Sequence, residues 1–123
     1  MIHEGLTHTS QLIVSDVDTA IALGSGDMPV LATPRMMALM ENAAMLAVAP
    51  ELVEGFTTVG GHIESSHLKP SAVGREVAAT ATLTKVEGKK LYFKVMAKMG
   101  DDIIGEGTHL RFIVNKERFL NKL

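Results

Sequence analysis

Apolar residues follow two rhythms along this chain. From Met36 to Ala49 they are almost continuous, broken only by Glu41 and Asn42, and the run is too long for a strand. It predicts a helix of about 15 residues. Thr33 is placed to cap it, because a hydroxyl there can accept a first-turn N–H. Pro34 suits the first helical position, where its missing N–H costs nothing, and Pro50 limits continuation at the far end. Beyond the helix the period drops to two. In "REVAATATLTKV" (75–86) Val77, Ala79, Ala81 and Leu83 face one way and Thr80, Thr82 and Thr84 the other. In "KKLYFKVMAKM" (89–99) Leu91, Phe93, Val95, Ala97 and Met99 share a face. "EGKK" joins these two as a hairpin, "GDD" (100–102) makes the next turn, and "IIGEGTHLRFIV" (103–114) is the last long strand. "HTSQLIVS" (8–15) and "TTVGGHIESSHL" (57–68) read as further strands, the latter with Gly60-Gly61 as a bulge or close backbone approach. "TAIALGSGDMP" (19–29) reads as a short strand followed by a loop marked by Gly24, Gly26 and Pro29. Asn115 caps a short C-terminal helix, "KERFLNKL".

Strands flanking one apolar helix, the last three joined by hairpins, indicate an α+β fold with an antiparallel sheet. A helix that is apolar nearly all round is buried on most sides, so the sheet must wrap around it. A sheet of this length leaves edges that need covering, and pairing with a second chain is one solution.

Composition narrows the classes. The 123 residues fit one domain, 1–123, and 46% hydrophobic content supplies a core built from Val, Leu, Ile, Ala and 8 Met. A net charge of -2, with both signs spread along the chain, argues against a nucleic-acid surface. There is no cysteine, which excludes disulfides, thiolate metal sites and a Cys nucleophile. The N-terminus is too polar for a signal peptide, and the longest apolar run is too short and interrupted to span a bilayer. The expectation is a soluble, cytoplasmic protein without a membrane partner.

Glu41 is the residue that asks for an explanation. On a helix its neighbours three and four positions away are Met37, Ala38, Ala44 and Met45, none of which can pair with a carboxylate. Either Glu41 and Asn42 form a narrow exposed strip, or Glu41 faces a cavity or an interface. Thr33 lies eight residues earlier, about 12 Å along the axis. Helix N-termini also present free N–H groups that can polarise a carbonyl; Pro34 removes one, leaving Arg35 and Met36 to supply them. Of five histidines, His67 in "SSHLKP" ends a strand before Pro70, and His109 shares a strand face with Arg111. Arg111 needs an anion, a water-filled site or an edge strand. His62 and His67 face opposite sides of a continuous strand and no HExxH motif is present, so no metal site is expected. "GSG" and "GEG" do not lie between a strand and a helix, which rejects a nucleotide fingerprint, and there is no GxSxG elbow. Met36, Met37, Met40 and Met45 fill a core or form an adaptable wall for an acyl chain.

One helix wrapped by a long antiparallel sheet resembles the hot-dog fold of acyl-CoA thioesterases and dehydratases. "LATPRMMALMENAA", "SSHLKPSAVG", "VEGKKLYFKV" and "GTHLRFIVNKERF" resemble the fluoroacetyl-CoA thioesterase-like family in particular, over roughly residues 30–121. The eight-residue step from Thr33 to Glu41 and the 26-residue step on to His67 match that family's catalytic order. The resemblance implies catalytic Thr33, Glu41 and His67, with Gly60 and Arg111 binding substrate. It also implies a homodimer, or a higher oligomer, with active sites between subunits. Coenzyme A would be the leaving group, part of the substrate, and no separate cofactor is needed. Lys69, Arg75, Lys89 and Lys90 are candidates for its phosphates. Two positions depart from the family: "ALGSGDMPVLA" (22–32) lacks the aromatic lid of fluoroacetyl-specific members, and Pro34 replaces a glycine after the threonine. The expected function is hydrolysis of a short-chain acyl-CoA. The alternatives are a non-catalytic acyl-CoA-binding or sensing domain, an enoyl-CoA hydratase or dehydratase, and a structural dimer module.

Overall fold

The computed structural model describes residues 1–123. Five strands, β1 (Thr7–Ile13), β2 (Phe56–Ser65), β3 (Glu76–Glu87), β4 (Lys90–Met99) and β5 (Asp102–Asn115), form one antiparallel sheet in the order β1-β3-β4-β5-β2. The long helix α2 (Thr33–Val48) lies in its concave face, packed chiefly against β1 and β3. A helical turn, α1 (Ala20–Leu23), precedes it, and a short helix, α3 (Lys116–Asn121), ends the chain. The ladders slip by a residue at Gly60/His62, Leu83/Lys85 and Ala97/Lys98. Such bulges increase local twist, which lets the sheet curl around one helix. No helix is long and apolar enough to cross a membrane.

The alternation read from the sequence is the packing. Val77, Ala79, Ala81 and Leu83 of β3 and Leu91, Phe93, Val95 and Ala97 of β4 are buried, and they meet Met36, Leu39, Met40, Ala43, Ala44 and Ala47 of α2 in a single core. The alanines on both sides keep the facing surfaces shallow, so helix and sheet approach closely. Glycines do the same within the sheet. A Cβ on Gly107 would run into the backbone of Glu64, and one on Gly61 into the ring of Phe112. "GEG" is therefore a strand segment that admits its neighbour rather than a ligand loop.

Three expectations need correction. The segment 19–29 holds α1 instead of a short strand: the Thr19 hydroxyl accepts from Ala22 N–H, and Gly24, at φ 75°, ends the turn. Only Thr19 and Val30 keep isolated bridges, to Leu31 and Ala72. Four residues are too few for a period to separate the two states. Next, Thr33 is the first residue of α2, not its cap; Ala32 holds the cap position and makes no side-chain bond. Finally, α2 is not buried nearly all round. Pro34, Ala38, Asn42 and Leu46 are exposed, with Met37, Glu41 and Met45 half-buried beside them. This strip is wider than Glu41 and Asn42 alone, and mostly apolar.

Candidate active site

The freed hydroxyl of Thr33 goes to His67. Thr33 Oγ1 and His67 Nδ1 are 2.7 Å apart. His67 lies in the loop just after β2, held there because Ser66 N–H and Leu68 N–H bond the carbonyls of Glu106 and Ile104 on β5. Its Nε2 is buried and makes no hydrogen bond. Burial holds the imidazole pKa below its ordinary value, and the backbone of Lys69 opposes this only in part. The pair lies at one side of an open cleft of about 290 Å³, walled by Ala20, Ser25, Val30, Leu31 and Pro70.

A second group forms two turns further along α2. At the β2 bulge, Gly60 pairs with Arg111 on β5. A Cβ built on Gly60 would lie 3.2 Å from Glu41 Oε2, 3.3 Å from His109 Cε1 and 3.6 Å from Arg111 Nη1. The missing side chain thus leaves a narrow gap, too tight for a methyl unless its neighbours move, where a carboxylate, an imidazole edge and a guanidinium converge. Arg111 is 7% exposed. Its Nε donates to Thr58 Oγ1 (2.8 Å), Nη2 to the Thr58 carbonyl (2.9 Å) and Nη1 to His109 Nε2 (3.2 Å). Burial lowers the guanidinium's pKa, with nearby Glu41 acting in the opposite sense. Because β5 lies between β4 and β2, an edge-strand location does not account for Arg111; it is a buried cation turned toward Glu41.

The structure therefore brings the predicted residues together in two sets, Thr33 with His67, and Glu41 with Gly60 and Arg111. No hydrogen bond joins one set to the other within a chain. The predicted helix-start donors are also engaged: the N–H groups of Arg35 and Met36 both bond the Ala32 carbonyl. Lys69 pairs with Asp102 at 3.0 Å. Two residues complete the second set without having been singled out for it, His109 and Thr58. Their signal was parity, since His109 alternates with Arg111 on β5 and Thr58 with Gly60 on β2. No three His, Cys, Asp or Glu side chains converge as metal ligands.

The model of a family described as fluoroacetyl-CoA-specific thioesterase matches residues 14–117. The chain is 40% identical over 94 residues to the fluoroacetyl-CoA thioesterase of Streptantibioticus cattleyicolor, covering 76% of this chain and 68% of that protein. Among solved structures, the fluoroacetyl-CoA thioesterase FlK superposes with a TM-score of 0.93 at 34% identity, covering 99% of this chain and 95% of that one. Variants of FlK have been solved with acetyl-CoA and with fluoroacetate and CoA. A Thermus thermophilus protein of the thioesterase superfamily gives a TM-score of 0.92 at 30% identity, over 99% and 90% of the two chains. The chain belongs to the fluoroacetyl-CoA-specific thioesterase family and is a thioester hydrolase built on the hot-dog fold.

Proposed function

We propose that the thioester cleaved is a short-chain acyl-CoA, released as free acid and coenzyme A, and that the 1–123 chain works as a homodimer without a cofactor. The reading is carried by the half-buried Glu41, whose carboxylate edges the gap at Gly60 beside a buried guanidinium. A carbonyl brought to the mouth of that gap meets a carboxylate on one side and a guanidinium on the other. Glu41 either attacks the carbonyl carbon or draws a proton from an attacking water; both need the same aim. Arg111 stabilises the oxyanion as charge builds on oxygen. His67, oriented by Thr33, supplies the proton that the departing thiolate takes up. In either route the C–S bond breaks, water's oxygen and one of its protons end in the acid and its other proton on the thiol. Where Glu41 attacks, that water opens the resulting anhydride and regenerates the carboxylate.

Thr33 and Glu41 stand about 12 Å apart on one helix axis, and a second copy of the chain closes that distance. The apolar strip of α2 (Ala38, Leu46, half-buried Met37 and Met45) and the open edge of β2 suit such a partner. The cleft beside Thr33 is lined by Ala20, Ser25, Val30 and Leu31 and by no Phe, Tyr or Trp, so the aromatic lid of fluoroacetyl-specific members has no counterpart there, which favours an unfluorinated acyl group. The test is a panel of acyl-CoAs with released thiol detected, for wild type, Glu41→Gln and His67→Ala. Short acyl-CoAs should be hydrolysed by wild type, and both variants should lose most turnover while staying folded. Mixing the two variants should restore activity above either alone if halves of the site come from different chains. Wild-type turnover by both variants on every substrate would overturn the site assignment.

A further inference from the structure

His109 is a buried titratable group beside the gap that the chemistry above does not use. It is 2% exposed, and its ring is tilted against Phe93 with centroids 6.2 Å apart. Its two nitrogens have partners of opposite kind. Nδ1 lies 2.7 Å from the carbonyl oxygen of His62, which can only accept, so Nδ1 carries a proton. Nε2 lies 3.2 Å from Arg111 Nη1, which can only donate, so Nε2 carries a lone pair. Together the two contacts demand the neutral Nδ1–H tautomer, the Arg111 contact excluding the imidazolium that the His62 contact alone would admit. Burial and the adjacent guanidinium both favour the neutral ring.

Resting on the Glu41–Arg111 reading, we infer that His109 is a positioning residue for the reaction: its Nε2 lone pair fixes the Arg111 guanidinium beside the Gly60 gap. Arg111 has five N–H groups. Thr58 takes one from Nε and one from Nη2, and both acceptors belong to β2. Without His109 only the Nε–Nη2 edge would be tied, both bonds going to one residue, and the rigid plane could tilt about that edge and carry Nη1 out of place beside Glu41. The bulge at Gly60/His62 belongs to the same device, since the His62 carbonyl sits just past the register slip and anchors the imidazole. A His at β5 position 109 and an Arg two residues on, over a Gly on the facing strand, thus form one unit. The hydrogen bond is to Arg111 and the imidazole presents only its Cε1 edge to the gap.

Two substitutions separate this role from simple bracing of the bulge. His109→Gln can keep an acceptor near Nε2 while losing the Nδ1–H donor; His109→Asn keeps the donor to His62 while losing the acceptor. Acyl-CoA hydrolysis is followed for both, with thermal melts to establish folding. The expected result is a kcat some ten- to a hundredfold lower for His109→Asn, with KM moved much less, and His109→Gln recovering to within about fivefold of wild type. The reverse order, Asn active and Gln impaired, would make the His62 bond the important one and overturn the inference. Should either variant not fold, nitrogen NMR of wild-type His109 decides: a neutral Nδ1–H ring at neutral pH is expected, and an Nε2–H tautomer or an imidazolium would overturn the inference. Arg111→Ala and Glu41→Gln run alongside. If those retain full activity the underlying site reading fails; if they lose it while His109→Asn does not, only the positioning role fails.

Discussion

The most direct probe of the site is the smallest: a single methyl at Gly60. Gly60 does not have a positive φ, so alanine is compatible with its backbone. The new Cβ would meet Glu41 Oε2 at 3.2 Å, His109 Cε1 at 3.3 Å and Arg111 Nη1 at 3.6 Å. Comfortable contact begins at about 3.5–4.0 Å. The carboxylate and the imidazole must each retreat by a few tenths of an ångström, and the methyl stands in the path by which a carbonyl would approach. A misplacement of about 1 Å costs about a hundredfold in rate. A ten- to hundredfold loss of kcat/KM, about 1.4–2.7 kcal/mol, is therefore expected. Stability should hardly change, because alanine's reduced freedom in the unfolded chain contributes about 0.4–1 kcal/mol against the crowding, leaving Tm within about 5 °C of wild type. Released coenzyme A can be read with a thiol reagent without protein background, since the chain has no cysteine. A folded Gly60→Ala protein with wild-type kcat/KM would refute the idea that the reacting carbonyl docks at the mouth of that gap.

Further outcomes follow from other parts of the molecule. His67 and His109 both have pKa values held below 6.5 in the folded protein. The unfolded chain then binds more protons below about pH 6.5, so stability should fall as pH drops through that point, and urea midpoints identical at about pH 8 and about pH 5 would contradict this. Asp18 is buried; burial pushes its pKa up, but hydrogen bonds from Ser15 N–H, Ser15 Oγ and Arg35 outweigh it and leave the carboxyl below 3.8. Its contribution should persist above that value and vanish at still lower pH, and Asp18→Ala should cost about 1.5–3 kcal/mol by denaturant titration. Met40 is fully buried in the core and belongs to neither residue set. Met40→Ala should cost about 2–5 kcal/mol while turnover per folded molecule stays near wild type; a selective loss of kcat would tie the core to the chemistry.

Where the chain repeats a pattern over many residues, the sequence was readable. Val77 to Leu83 and Leu91 to Ala97 alternate long enough to set both strand and inward face, and Met36 to Val48 can only be a helix. The 19–29 segment was not, because one Thr hydroxyl and one left-handed glycine decide four residues. Thr33 shows a different limit. A hydroxyl before Pro34 looks like a cap from its neighbours alone, and only the loop returning 34 residues later gives it another partner. Glu41 was noticed because its helical neighbours could not pair with it. His109 was seen beside Arg111, but the carbonyl that fixes its tautomer comes from across a bulge whose register no local pattern encodes.

The strand order also carries a message about assembly. β3, β4 and β5 meet their neighbours through tight turns, whereas Thr7 must find Thr82 and Phe56 must find Asn115. Pairings so remote along the chain form slowly, and Glu41, Gly60 and Arg111 converge only after β2 has docked. The lone tyrosine, Tyr92, stands on β4 inside the fast-forming meander. During refolding its emission should recover before hydrolysis does, and simultaneous recovery would contradict that order. A nascent or heat-damaged molecule could thus look largely native by spectroscopy while still being chemically silent.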